Sequence, residues 1–158
     1  MTMMTAGTDA ASIALAVQMA IAPIFLLVGT GSILAVMTHR LGRVVDRARA
    51  LEDGLEAGET GAERARHQME LGSLAQRIRL ANRAIAFSCG AAILVCVMIG
   101  LLFVGELLDV PVRAPIAGLF VLTMASLIVG LVYFLLEVFV ASRSLRVRAE
   151  LLQGDGTP

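Results

Sequence analysis

The sequence predicts an all-α membrane protein with three transmembrane helices and a cytoplasmic antiparallel helical hairpin continuous with the first two. Two observations support this fold class: three long runs without a charged residue, and an arginine-rich segment with a coiled-coil rhythm between the first two runs. The chain has 158 residues, 58% of them hydrophobic, and a mean hydropathy of +0.83. A soluble domain of this size carries more polar surface.

Each charge-free run is long enough to form a transmembrane helix, because about 20 apolar residues span a hydrocarbon core of about 30 Å. A cleaved signal peptide is the competing interpretation of the first run. An uncleaved helix is favoured because the chain start carries no basic residue, the run exceeds a signal-peptide core, and arginines follow it directly. The predicted transmembrane helices are residues 10–38, 84–105 and 114–141.

The arginines predict the orientation of the chain. Nine of the thirteen lie between His39 and Arg83, and three follow Ser142. Positively charged loops stay on the cytoplasmic side of a membrane, so the amino terminus is expected outside and the carboxyl terminus inside. The predicted segments are an outer tail at 1–9, a cytoplasmic hairpin at 39–83 with its turn at about 56–61, an outer loop at 106–113 and a cytoplasmic tail at 142–158.

The two arms of the hairpin carry apolar residues at the alternating three- and four-residue spacing of a coiled-coil seam. Folding the chain back at the glycine-rich turn gives one antiparallel register, in which facing residue numbers sum to 118 or 119. This register also brings Arg47 near Glu70 and Glu52 near Arg66. The predicted seam residues are Leu41, Val44, Ala48, Leu51, Leu71, Leu74 and Ile78.

The second transmembrane helix has a small residue at every fourth position, which is expected to let another helix approach closely. The spacing does not distinguish packing within one chain from packing between subunits. The predicted helix-packing stripe is Ala84, Ser88, Ala92, Cys96 and Gly100.

The first transmembrane helix carries polar groups that are candidates for a polar or pore lining. Pro23 has no backbone N–H and frees the carbonyl of Met19, close to the Gln18 amide. A packing kink satisfied by neighbouring helices is the alternative interpretation. The candidate lining residues are Gln18, Pro23, Thr30 and Ser32.

Glu137 is an acidic residue near the inner end of the third helix. An ionisable group beside hydrocarbon is costly unless it is paired, and the predicted topology places Arg40, Arg43 and Arg83 at the same membrane face. We expect an ion pair that holds the third helix to the foot of the hairpin; a proton- or ion-handling role is the alternative.

Other chemistry is not indicated. Cys89 and Cys96 lie in the second run and are expected to be packing residues, while His39 and His67 have no further metal ligands at a suitable spacing. The hairpin carries seven acids against nine arginines, which argues against nucleic-acid binding. We therefore predict no enzyme activity, no metal and no cofactor.

The ordered motifs IAPIFLLVGTGSIL, THRLGRVVDRARALE, RIRLANRAI and EVFVASRSLR resemble those of the bacterial membrane protein family of unknown function DUF2721. The resemblance covers about residues 13 to 148. It implies a small bacterial inner-membrane protein and supplies no substrate, partner or catalytic residue.

Two functions are compatible with these features. The first is a homo-oligomeric ring that forms a channel or transport-related pore lined by the first helix. The second is a membrane-anchored scaffold or accessory subunit whose hairpin binds a cytoplasmic protein. The expected partners are the lipid bilayer, further copies of the chain and, in the second case, that protein.

Overall fold

Three long α-helices make up the described part of the chain. The computed structural model describes residues 2–56, 61–108 and 110–153, with side chains for 17–55, 61, 63–108 and 110–142. All three helices contain a stretch long and apolar enough, by length and composition, to cross a membrane, which confirms the coarse fold prediction. The helices are α1 (Thr2–Glu56), α2 (Ala62–Leu108) and α3 (Arg113–Gln153).

The helices extend beyond their predicted ends. α1 includes residues 2–9, assigned to a tail from the sequence, and α3 continues through most of the predicted tail at 142–158. Neither segment contains a proline before the helix limit, and each contains good helix formers: methionine and alanine in 2–9, arginine and leucine in 142–153. The predicted turn falls largely on 57–60, which lie outside the described residues. Gly61 follows with φ 72°, a left-handed conformation that favours glycine.

The helices divide into two units, each with its own packed residues. The first unit consists of the part of α1 up to Leu34 together with Phe87–Ile128. Its buried residues include the hydroxyl side chains Thr30 and Thr123. The second unit consists of Ala35–Ala86 together with the part of α3 from Val129 onward.

Burial along each helix recurs every seven residues, which is the period of a left-handed helical bundle. α2 has two buried rows, and one of them begins with a partly buried arginine. Two buried rows indicate that α2 packs against other helices on two of its sides. The rows are Thr30, Met37, Val44 and Leu51 in α1; Leu74, Ala81, Ser88 and Val95, and Arg77, Ala84, Ala91 and Met98, in α2; and Thr123, Gly130 and Glu137 in α3.

The hydrophobic core of the second unit lies between the two arms. Val44, Leu51 and Leu74 are buried together. Ala48, Leu71 and Ile78 are partly buried and pack against them. Six of the seven residues predicted for the seam are therefore in this cluster. Leu41, the seventh, is also partly buried.

One of the two predicted ion pairs between the arms is present. Arg47 Nε donates to Glu70 Oε1 at 2.9 Å. Glu52 and Arg66 are both exposed, and among the described side chains no ion pair joins them. Long exposed side chains gain under about 1 kcal/mol from pairing, so solvation competes with it.

The connection from α2 to α3 depends on a glycine. The Val110 N–H donates to the Gly105 carbonyl at 3.1 Å, and the Ile116 N–H donates to the Val112 carbonyl at 3.1 Å. The Val112 side chain occupies the space in which a Cβ on Gly105 would lie. A side chain larger than hydrogen would therefore push the connection away from α2.

Gly105→Ala should lower the free energy of unfolding by about 1–3 kcal/mol, the usual cost of overpacking. Thermal unfolding in detergent, followed by circular dichroism, measures the change. Gly100→Ala is the matched control, because a Cβ there meets nothing within 4 Å. It should leave stability unchanged or raise it by up to about 1 kcal/mol. Equal melting curves for the two variants would contradict the close approach of Val112.

Candidate functional site

A buried carboxylate joins all three helices in the second unit. Glu137 of α3 is 2% exposed. Its Oε2 accepts a hydrogen bond from Arg40 Nη2 of α1 at 3.0 Å. Its Oε1 accepts from Arg77 of α2, through Nε at 3.0 Å and Nη2 at 2.8 Å. Each carboxylate oxygen thus has its own guanidinium, and the three side chains form a charge cluster with a net charge of +1.

Two aromatic residues that adjoin in α3 support arginines from different helices. The Arg40 guanidinium lies 5.5 Å from the centroid of the Phe134 ring. The Arg83 guanidinium of α2 lies 5.7 Å from the centroid of the Tyr133 ring. Such cation–π contacts are worth about 0.5–1 kcal/mol at exposed sites and more where water is excluded. They orient the arginines as well as attract them.

The predicted partners of Glu137 are partly corrected. Arg40 pairs with it, whereas Arg43 is exposed and Arg83 contacts an aromatic ring. The second partner, Arg77, was not predicted. Arg77 lies seven residues before Ala84 and is the first member of the buried row that continues through Ala84. The sequence signal that could have identified it is an arginine in line with a seven-residue repeat of small and apolar residues.

The burial of Glu137 determines what the cluster can do. An unpaired carboxylate in a site without water carries a large desolvation cost, which two charge-assisted contacts offset. Arg40 and Arg77 side chains are 36% and 19% exposed, so water still reaches the cationic side. The carboxylate oxygens face the guanidinium groups, and the arrangement acts as a structural clamp.

The four candidate lining residues do not share one face. Thr30 is buried, and its hydroxyl donates to the Leu26 carbonyl at 2.8 Å. Pro23 is partly buried, whereas Gln18 and Ser32 are exposed. At 3.6 residues per turn, Thr30 and Pro23 fall on one side of α1 and the other two on the opposite side. Of the four candidates, Gln18 and Ser32 are therefore the two that present polar side chains on the outer side of α1.

The predicted stripe on α2 turns from buried to exposed along the helix. Ala84 and Ser88 are fully buried, Ala92 is partly buried, and Cys96 and Gly100 are exposed. A four-residue step advances by about 40° around a helix, so a long four-residue stripe cannot keep one face inward.

Contact between α2 and α3 in the first unit uses a hydroxyl of α3. Ser126 Oγ donates to the Phe87 carbonyl at 2.8 Å and would lie 3.6 Å from a Cβ on Gly90. A small residue on each helix permits this approach, as in other membrane helix pairs.

The remaining candidates do not form a chemical site. Cys89 and Cys96 are free thiols exposed on the surface of the single chain. His39 is exposed and His67 is partly buried. Within the described ranges, no group of three or more histidine, cysteine or acidic residues is arranged to hold a metal.

Three helices contain long apolar stretches, and a buried carboxylate joins them near the ends of those stretches. These features indicate a helical membrane protein. Residues 20–147 match the family described as Protein of unknown function (DUF2721), and the chain belongs to this family. The resemblance seen in the sequence motifs is thus confirmed. A search of curated proteins and a search of solved structures found no match to this chain.

Glu137→Gln should lower the free energy of unfolding by about 3 kcal/mol, because it leaves two neighbouring arginines without their counter-charge. Glu70→Gln is the matched control. It removes the exposed pair with Arg47 and should cost under about 1 kcal/mol. Thermal unfolding of both variants in the same detergent compares the two effects. Similar losses of stability for the two variants would contradict a clamp at Glu137.

Proposed function

We propose that the protein is a membrane-anchored scaffold or accessory subunit whose α1–α2 hairpin binds a protein partner in the cytoplasm. The observation that carries this proposal is Met69 on the α2 arm, which is 71% exposed. Among the described residues of 39–83, it is the single large apolar side chain that is exposed. Methionine and arginine are enriched in protein interfaces, and Arg66 lies one helical turn before Met69.

The supporting framework is the packed hairpin beneath this surface. The cluster of Val44, Leu51 and Leu74 holds the arms together, and Glu137 forms buried ion pairs with Arg40 and Arg77. The exposed side chain of Met69 lies outside this core and is accessible to a partner. The concentration of arginines in the hairpin supports its cytoplasmic placement in a bacterial inner membrane.

Met69→Glu should release a co-purifying protein from tagged protein extracted from native membranes, because a charge replaces the exposed apolar contact. Quantitative mass spectrometry of the captured proteins measures the release. Arg49→Glu, an exposed change on α1, is the control for added negative charge and should retain the partner. Without partners, the detergent-solubilised particle should have the same mass for the wild-type chain, Met69→Glu and Arg49→Glu. The proposal is wrong if Met69→Glu retains the same partners, or if those released lie outside the cytoplasm.

A second function, a pore, is favoured by the placement of Gln18 and Ser32. Both are exposed and lie fourteen residues apart, two seven-residue periods along one face of α1. Three helices do not enclose a water path, so the channel would require a ring of several copies around this face. The ring is the self-association predicted from the sequence.

In the pore hypothesis, protein reconstituted into liposomes passes small ions, and Gln18→Leu or Ser32→Leu reduces the flux several-fold. Thr30→Val is the control and should leave flux unchanged, since the Thr30 side chain is buried within one copy. Fluorescence of an ion indicator inside the liposomes reports the flux. A detergent particle with the mass of one copy would exclude the pore.

A further inference from the structure

Two arginines on one face of α2 have no acidic partner among the side chains that the structure describes. Arg79 and Arg83 are exposed and lie one helical turn apart. Like charges at this spacing repel each other and destabilise an isolated helix. Among the described side chains, the acids with ion pairs are Glu70, which pairs with Arg47, and Glu137, which pairs with Arg40 and Arg77. The repulsion between Arg79 and Arg83 is therefore not offset by any acid among the described side chains, and a bound anion would relieve it.

The contact with Tyr133 orients one of these arginines. The Arg83 guanidinium lies over the Tyr133 ring, which takes up one face of the cation and leaves its N–H groups available at the edge. A guanidinium held in this way loses less freedom on binding an anion than an unrestrained one.

The pair also lies at a defined position along the apolar helices. Arg83 directly precedes the charge-free residues 84–105 of α2, and Glu137, in the cluster with Arg77, directly follows the charge-free residues 114–136 of α3. In a membrane protein the end of a charge-free run is the depth of the lipid headgroups, where arginines meet phosphate.

We propose that Arg79 and Arg83 bind the phosphodiester of an anionic phospholipid headgroup. Each guanidinium donates N–H groups to a phosphate oxygen, an interaction stronger than one between neutral groups. The cluster around Glu137 adds a further net charge of +1 nearby, which disfavours the ammonium group of a zwitterionic lipid. The site is therefore selective for lipids whose headgroup carries no compensating cation.

The test compares phosphatidylglycerol with phosphatidylcholine of the same acyl chains. Binding to detergent-solubilised full-length protein is measured by titration with native mass spectrometry. The wild-type chain should prefer phosphatidylglycerol. Arg79→Gln should weaken phosphatidylglycerol binding about fivefold and the double change Arg79→Gln with Arg83→Gln about thirtyfold, given the usual contribution of each arginine at an anionic surface. Phosphatidylcholine binding should not change.

Two controls separate a site from general positive charge and from loss of structure. Arg49→Gln with Arg64→Gln removes two other exposed arginines and should leave lipid preference intact. Arg79→Gln alone should not lower the melting temperature, because among the described side chains Arg79 forms no ion pair and its removal relieves the repulsion with Arg83. Equal binding of the two lipids, unchanged binding by the double variant, or an equal loss in the control would overturn the proposal. So would displacement by inorganic phosphate at the lipid's own concentration, which would identify free phosphate as the ligand.

Discussion

The carboxylate of Glu137 constrains the second unit more than any other single group. It is 2% exposed and lies on a helix whose neighbouring residues are apolar, so its charge must be met by cations from other helices. Arg40 and Arg77 supply them from α1 and α2. This requirement sets both the rotation of α3 and its height beside the arms, because a buried charge tolerates little displacement from its partners.

Apolar packing supports the same arrangement through a different physical effect. Within the described side chains, each helix has rows of buried residues spaced by seven, so these side chains recur at regular intervals along the helix. Apolar contacts of this kind are not specific in register, since leucine and valine accept many neighbours. The ion pairs Arg47–Glu70 and Arg40–Glu137 select one alignment among those that the apolar rows permit. The apolar core and the ion pairs thus stabilise the same alignment of the arms.

Contacts between α1 and α2 could be predicted from sequence because the two arms are joined by a short turn. One register then follows from the apolar spacing, and Arg47 with Glu70 conforms to it. The identity of the second partner of Glu137 could not be predicted in this way, since the side of α2 that meets α3 depends on how the third helix crosses. The small stripe of α2 lies only partly inside one chain for a related reason: four-residue spacing drifts around a helix, so that Ala84 and Ser88 are fully buried and the later positions turn outward.

The seven-residue burial pattern also limits how the chain can vary in length. One residue inserted into an arm would turn all following side chains by about 100° and carry an inward residue to the surface. Seven inserted residues would add about two turns and lengthen the helix by about 10.5 Å while keeping every face in place. Members of the family that retain a clamp like that of Glu137 should therefore differ within the arms by multiples of seven, with other length changes between helices.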